Sequence, residues 1–238
     1  MPPVNRHVPD PAIRRRFQRR LLRWYARHQR DLPWRKTSDP YKILVSEVML
    51  QQTQVDRVIP KYHEFLRKYP TVEELAGASV SDVAATWRPL GYNIRPVRLH
   101  AIAQQAVHRH DGKIPASLEE LQAFKGIGRY TAGAVMSFAF RQDAPILDTN
   151  VKRVLQRVFL GPRNGNGSKS PKRLWELSAA LIPKGKAYDF NQAVMDFGAL
   201  LCTARKPNCE VCPMQPLCRS YPWDKDNTSC RKPRRSSM

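Results

Sequence analysis

An all-α fold is predicted for this chain of 238 residues by three observations. Apolar residues recur at helical spacing along most of it, no series of alternating strands is found, and the breaks between helical runs are mostly short. Phe17, Leu21 and Trp24 fall at i, i+4 and i+7, with Leu22 and Tyr25 beside them. The first helix is therefore amphipathic and very basic on its other face, and Asp31-Leu32-Pro33-Trp34 ends it. A second helix starts near Pro40 and carries Val45, Val48 and Met49, and Pro60 is expected to kink or divide the helical run after it. Further helices are expected near 79–87, 96–108, 117–124, 129–140, 149–160, 171–181 and 187–202. Residues 161–170, rich in Gly, Asn and Ser, read as an exposed loop. From Pro222 onward no helical period is found, and a flexible basic tail is expected over 222–238.

Composition narrows the partners. At 42% hydrophobic, the chain supports one large domain or two lobes with real cores. Its net charge of +21, from 41 Lys and Arg against 20 Asp and Glu, costs self-repulsion and points to a polyanion. Nucleic acid comes first and an anionic membrane surface second; the plain alternative is a basic soluble protein without a specific partner. No stretch approaches the ~20 apolar residues of a membrane span. Met1 to Arg16 has no apolar signal core, so an intracellular place (cytoplasm or nucleoid) is expected.

Phe124-Lys125-Gly126-Ile127-Gly128-Arg129 interrupts two helical patterns. Glycine permits positive φ and close backbone approach, and the amides opening the second helix suit a DNA phosphate. Ile127 is expected to tuck between the helices while Arg129 adds charge. An ordinary turn between helices explains Gly-x-Gly equally well on its own.

Of five cysteines, Cys202, Cys209, Cys212 and Cys218 are spaced Cys-x6-Cys-x2-Cys-x5-Cys. Four thiolates satisfy tetrahedral zinc or a [4Fe–4S] cluster, and from the chemistry both stay open, with disulfides a distant third. Arg205, Lys206 and Arg219 make a basic collar, and Cys230 is left over and expected to be a free thiol.

Two carboxylates stand in apolar settings. Glu47, with Gln51 and Gln54 at i+4 and i+7, makes a polar stripe on an apolar helix, or else an ordinary solvated face. Asp148 opens the helix that follows Ala144-Pro145-Ile146-Leu147, which as a plain N-cap is worth ~1 kcal/mol. Cleaving a glycosidic bond gives such carboxylates a second use: an acid for the leaving group and a negative charge beside the sugar cation. A nucleobase must also leave the stack to reach them.

Together these pieces resemble the helix-hairpin-helix DNA glycosylases of the endonuclease III and MutY superfamily, and most of all the MutY adenine-mismatch enzymes. The resemblance runs from about Leu32 to Cys218. It rests on Leu32-Pro33-Trp34-Arg35, on Ser46-Glu47-Val48-Met49-Leu50-Gln51-Gln52-Thr53-Gln54-Val55, and on Leu90-Gly91-Tyr92. Gly126-Ile127-Gly128-Arg129-Tyr130-Thr131-Ala132-Gly133, Ile146-Leu147-Asp148-Thr149-Asn150-Val151-Lys152-Arg153, Phe190-Asn191-Gln192 and the cysteine loop complete it.

The resemblance implies two helical lobes flanking a DNA-binding cleft. One is a six-helix lobe with the hairpin over 32–140; the other is a cluster lobe of 1–31 and 141–221 with its loop at 202–218. It decides the metal in favour of a [4Fe–4S] cluster on Cys202, Cys209, Cys212 and Cys218. Glu47 is implied to protonate the departing purine, Asp148 to stabilise the sugar cation and Asn150 to help orient the chemistry. Tyr130 stands where bifunctional relatives carry lysine, and a tyrosine cannot form a Schiff base, so base removal without strand cleavage is implied. Gln52 and Tyr92 are implied to enter the helix beside the base opposite the target. Gln51 and Thr53 join them at the DNA, as do Gly126, Ile127, Gly128 and Arg129, while Trp34, Arg35, Leu50 and Gln192 are implied at the base pocket. The partner is double-stranded DNA with a mismatch or lesion, bound by a monomer.

The chain departs from the family at Asn93, where a second tyrosine is usual, at Pro96, and at Lys125, where proline is usual. It ends soon after Cys218, so no counterpart of the family's 8-oxoguanine-recognition domain is expected, and the preference for 8-oxoguanine over guanine should be weaker. The expected reaction is removal of adenine mispaired with either base. The alternatives are thymine or uracil removal from G mispairs, which the short length suggests, and a binding protein without catalysis.

Overall fold

In a computed structural model, residues 9–161 and 170–223 are described. The loop expected at 161–170 and the tail expected at 222–238 fall mostly outside the described residues, and Cys230 wholly so. Among the described residues the regular structure is entirely helical, with no strand. The α-helices are α1 (Pro11–His28), α2 (Pro40–Met49), α3 (Val55–Lys68), α4 (Val72–Gly77), α5 (Val80–Trp87), α6 (Ile94–His110), α7 (Leu118–Ala123), α8 (Arg129–Phe138), α9 (Thr149–Leu155), α10 (Pro171–Leu181) and α11 (Ala187–Leu200). None of the described helices is long and apolar enough to cross a membrane. Contacts divide the chain into two compact units, Asp31–Ala144 and Met1–Arg30 with Pro145–Met238.

The unit Asp31–Ala144 is built around α2. Asp39 caps this helix by accepting from the Tyr41 and Lys42 amides, and Pro40 sets its first turn. Every residue from Ile43 to Met49 is buried, as expected of a helix apolar on nearly all sides. It packs against α3, α6 and α8. Of the two outcomes expected at Pro60, division does not occur: α3 runs on through it. The proline forgoes one amide bond, and the apolar stripe of Val58, Tyr62 and Phe65 holds the helix down on both sides. The unit has seven α-helices among the described residues where six were expected. The extra one is α4, and its Thr71-x-x-Glu74 capping box is the sequence signal for it. Pro96 sits in the first turn of α6, where an amide has no helical partner to lose.

The second unit packs α1 on α11 and α11 on α9. The buried stripe of α1 is Phe17, Leu21 and Tyr25 rather than Phe17, Leu21 and Trp24. Phe17 meets Phe159 and Phe190 edge-on at 4.9 and 6.2 Å, while Trp24 is half-buried, edge-on to Phe197. The basic face of α1 is partly spent on structure. Arg14 and Gln18 donate to the carbonyls of Ala180 and Leu181 at the end of α10, and Arg20 donates to Pro213 O in the cysteine loop. Arg30 Nε pairs at 2.7 Å with Asp196, which is fully buried on α11. The helix expected over 149–160 is two pieces: α9, then a wider π-helical turn over Gln156–Leu160.

Candidate active site and cluster loop

Glu47 lies on the inner stretch of α2, 4% exposed, between Ser46 and Val48, which are also buried. The expected stripe of Glu47, Gln51 and Gln54 does not form, because α2 stops at Met49. Gln51 lies in the following turn and Gln54 caps α3. The turn leaves Gln52 exposed with left-handed backbone, φ 57°. Tyr92 is likewise left-handed, φ 49°, and 58% exposed. Each such residue costs roughly 1–2 kcal/mol relative to ordinary backbone. Two non-glycine residues are thus held out toward solvent at a conformational cost. Thr53 and Leu50 are half-buried beside them. Trp34 is buried, 6% exposed and edge-on to Tyr62, next to a half-buried Arg35.

In the hairpin between α7 and α8 the two glycines do different work. Gly126 has φ +109°, and a Cβ there would meet Arg98 Cδ at 3.0 Å. Gly128 has ordinary backbone, caps α8, and nothing stands within 4 Å of where its Cβ would be. Gly128, having no side chain, makes no side-chain cap bond to the first turn of α8. Ile127 is buried as expected, while Lys125 and Arg129 are exposed. Tyr130 follows, half-buried on α8.

Asp148 caps α9. One carboxylate oxygen accepts the Val151 amide at 2.6 Å and the other accepts Asn150 Nδ2 at 3.1 Å. Asn150 Oδ1 in turn accepts from Arg153 Nη2 at 2.7 Å, and Arg153 Nε donates to Cys202 O at 2.7 Å. A continuous polar path therefore joins the Asp148 carboxylate to the backbone of the cysteine loop. Gly198 on α11 makes room for this, since a Cβ there would stand 2.8 Å from Asn150 Cβ. Gln192, on the same helix, is 3% exposed, and its side-chain oxygen has no hydrogen-bond partner among the described residues.

The four cysteines line one cavity with Arg157, Pro207, Met214 and Trp223. Among the described residues no three His, Cys, Asp or Glu side chains gather tightly enough to hold a single metal ion. Thiols spread around a cavity, instead of converging on a point, fit a polynuclear cluster in which each iron takes one thiolate. Burial pushes the thiols of Cys212 and Cys218 up to about 11 and about 12, and that of Cys209 up as well. These side chains must give up protons to bind iron. The Arg157 guanidinium braces the loop, donating to Thr203 O, Ala204 O and Cys202 Sγ at 2.7, 2.9 and 3.5 Å. It stacks 3.8 Å from the centre of the Trp223 ring. Arg205, Lys206 and Arg219 are exposed around the loop.

The profile of the HhH-GPD superfamily base excision DNA repair proteins matches residues 45–180. This chain belongs to that superfamily. The iron–sulfur binding domain of endonuclease III matches residues 202–218, which span the four cysteines, and the cofactor of this HhH-GPD protein is a [4Fe–4S] cluster. Adenine DNA glycosylase of Rattus norvegicus is 44% identical over 214 residues, 86% of this chain and 42% of that protein. The chain thus spans about two fifths of the length of that relative. Thymine/uracil-DNA glycosylase of Pyrobaculum aerophilum is 37% identical over 218 residues, 87% of this chain and 92% of that protein. A solved structure of a thermostable thymine-DNA glycosylase superposes with a TM-score of 0.82 at 36% identity, covering 88% of this chain and 97% of the other. Sequence reasoning about this HhH-GPD chain misses Arg157, and it reaches Arg153 only as part of a motif. Arg153 on α9 and Arg157 on the turn after it both donate to the backbone of the cysteine loop, a signal available only once the loop's neighbour is known.

Proposed function

We propose that this protein is a monofunctional adenine DNA glycosylase acting on double-stranded DNA in which adenine is mispaired with 8-oxoguanine or guanine. The observation that carries the target base is the 44% identity to an adenine DNA glycosylase across 86% of the chain. Glu47, in its apolar helix, donates a proton to the purine ring as the bond from C1′ to the base breaks, and the base departs neutral. The Asp148 carboxylate, held at a helix start by the Val151 amide and Asn150, faces the positive charge that develops on the sugar. Water adds to C1′ and loses a proton, leaving an abasic site. Tyr130 offers no amine for a Schiff base, so the strand stays intact. Gln52 and Tyr92 enter the duplex beside the base opposite the target, with Gln51 and Thr53 near base edges. The α8 amides beside Gly128, with Gly126, Ile127 and Arg129, hold a backbone phosphate. Arg35, Leu50 and Gln192 serve the base pocket, with Trp34 supporting it from the core. The cluster on Cys202, Cys209, Cys212 and Cys218 organises the basic loop.

A second reading, thymine or uracil removal opposite guanine, is favoured by one observation: the relative of that kind matches along 92% of its own length. Single-turnover cleavage of A:8-oxoguanine, A:G, T:G and U:G duplexes under one condition decides between them. Adenine release should be fastest; faster processing of T:G or U:G than of both adenine substrates would replace the first reading with the second.

A further inference from the structure

The strongest unexplained feature lies under the two residues assigned to enter the duplex. Arg95, on the first turn of α6, is 4% exposed. Its Nη1 donates to the carbonyls of Val48, Met49 and Gln51. Its Nη2 donates to Thr53 Oγ1 at 3.1 Å and to the carbonyls of Gly91 and Leu90 at 3.0 and 3.4 Å, and its Nε reaches Tyr92 O at 3.4 Å. The guanidinium also lies 5.4 Å from the Trp87 ring centre and 5.5 Å from that of Tyr92. It makes no ion pair among the described residues; backbone carbonyls, the Thr53 hydroxyl and two aromatic rings offset its charge. Two of those carbonyls end α2, where a helix presents unpaired acceptors and its negative pole.

Buried cations without a carboxylate are costly. This one sits where two separate turns, 51–53 and 90–92, must keep left-handed residues in place. A guanidinium has five donors in a fixed plane and can bridge both turns at once, whereas an ammonium has three donors at a single point. We propose that Arg95 is a positioning residue that locks the turns carrying Gln52 and Tyr92 into one frame, so that both side chains enter the duplex together. Arg95 itself touches no DNA; it acts through the Gln51 carbonyl and the Thr53 hydroxyl on either side of Gln52, and through the carbonyls of Gly91 and Tyr92. The inference rests on the reading that Gln52 and Tyr92 enter the helix opposite the target.

The test uses the full chain with its cluster and a duplex with 2-aminopurine beside the base opposite the target adenine. Wild type should brighten the probe on binding, since an inserted side chain unstacks it. Arg95→Lys keeps the charge and loses the bridge. It should retain wild-type helical content and bind matched duplex within about two-fold of wild type. Brightening should fall by more than half, and preference for mismatched over matched duplex should drop about ten-fold. A role in stability alone would lower the melting temperature and leave brightening and preference per folded molecule unchanged, which would overturn the proposal. Should Arg95→Lys fail to fold, Thr53→Val decides: it removes one acceptor and keeps the arginine, and it should give a smaller loss of brightening. Full brightening in that variant overturns the proposal too. A wild-type protein that never brightens the probe shows that the helix-entry reading itself is wrong, and the role of Arg95 falls with it.

Discussion

The Asp148 carboxylate uses one oxygen on the Val151 amide and the other on Asn150, so capping and charge placement share a single side chain. Asparagine caps helices about as well as aspartate, and losing the charge at the helix start costs only about 0.3–1 kcal/mol. Asp148→Asn should therefore melt close to wild type and keep its affinity for mismatched DNA. Its single-turnover excision should fall by about 100-fold or more, because the charge matters only in the transition state. Glu47→Gln should likewise spare binding and lose excision. If either variant excises at near-wild-type rates, its carboxylate is not the one that acts. The two residues were legible in the sequence as carboxylates in apolar settings, but the face shared by Glu47, Gln51 and Gln54 was not real. Periodicity cannot see a helix end that is set by burial of α2 and by an arginine 46 residues beyond Met49.

At the scale of elements, the hairpin separates fold from binding within three residues. Gly126→Ala forces a side chain into φ +109° and against Arg98, and should cost about 1–2 kcal/mol of stability, read as a lower denaturant midpoint. Gly128→Ala meets no neighbour and should cost under about 1 kcal/mol as an altered cap. It should nevertheless weaken duplex binding, since the methyl group occupies the space a phosphate would fill. Equal binding losses tracking stability in both variants would remove the phosphate from this turn. The cysteine loop is the other element with its own test. Purified protein should carry about four irons per chain. Cys212→Ser should lose iron and bind DNA poorly, because the loop presents Arg205, Lys206 and Arg219 on a frame that the metal closes.

For the whole molecule, a net charge of +21 is the dominant quantity. Each phosphate neutralised adds about 0.9 to the slope of log affinity against log salt on duplex DNA, so a slope of several units is expected. Not all of that charge is available: Arg14, Arg20, Arg30, Arg95, Arg153 and Arg157 are committed to carbonyls or to a buried carboxylate within the fold. The measured slope should accordingly stay well below the count of basic residues. Binding that barely changes between low and high salt would refute the electrostatic argument.

The sequence by itself determined the helical class, most helix positions and the cysteine loop. Each of these is written locally, in a period, a cap or a spacing. Only the tertiary structure decided that Pro60 leaves α3 whole, that Trp34 is buried, and that Arg95, Arg153 and Arg157 bind distant carbonyls. An arginine's partner is chosen by which backbone groups folding leaves unpaired nearby. That depends on where helices end and meet, and no window of sequence contains it.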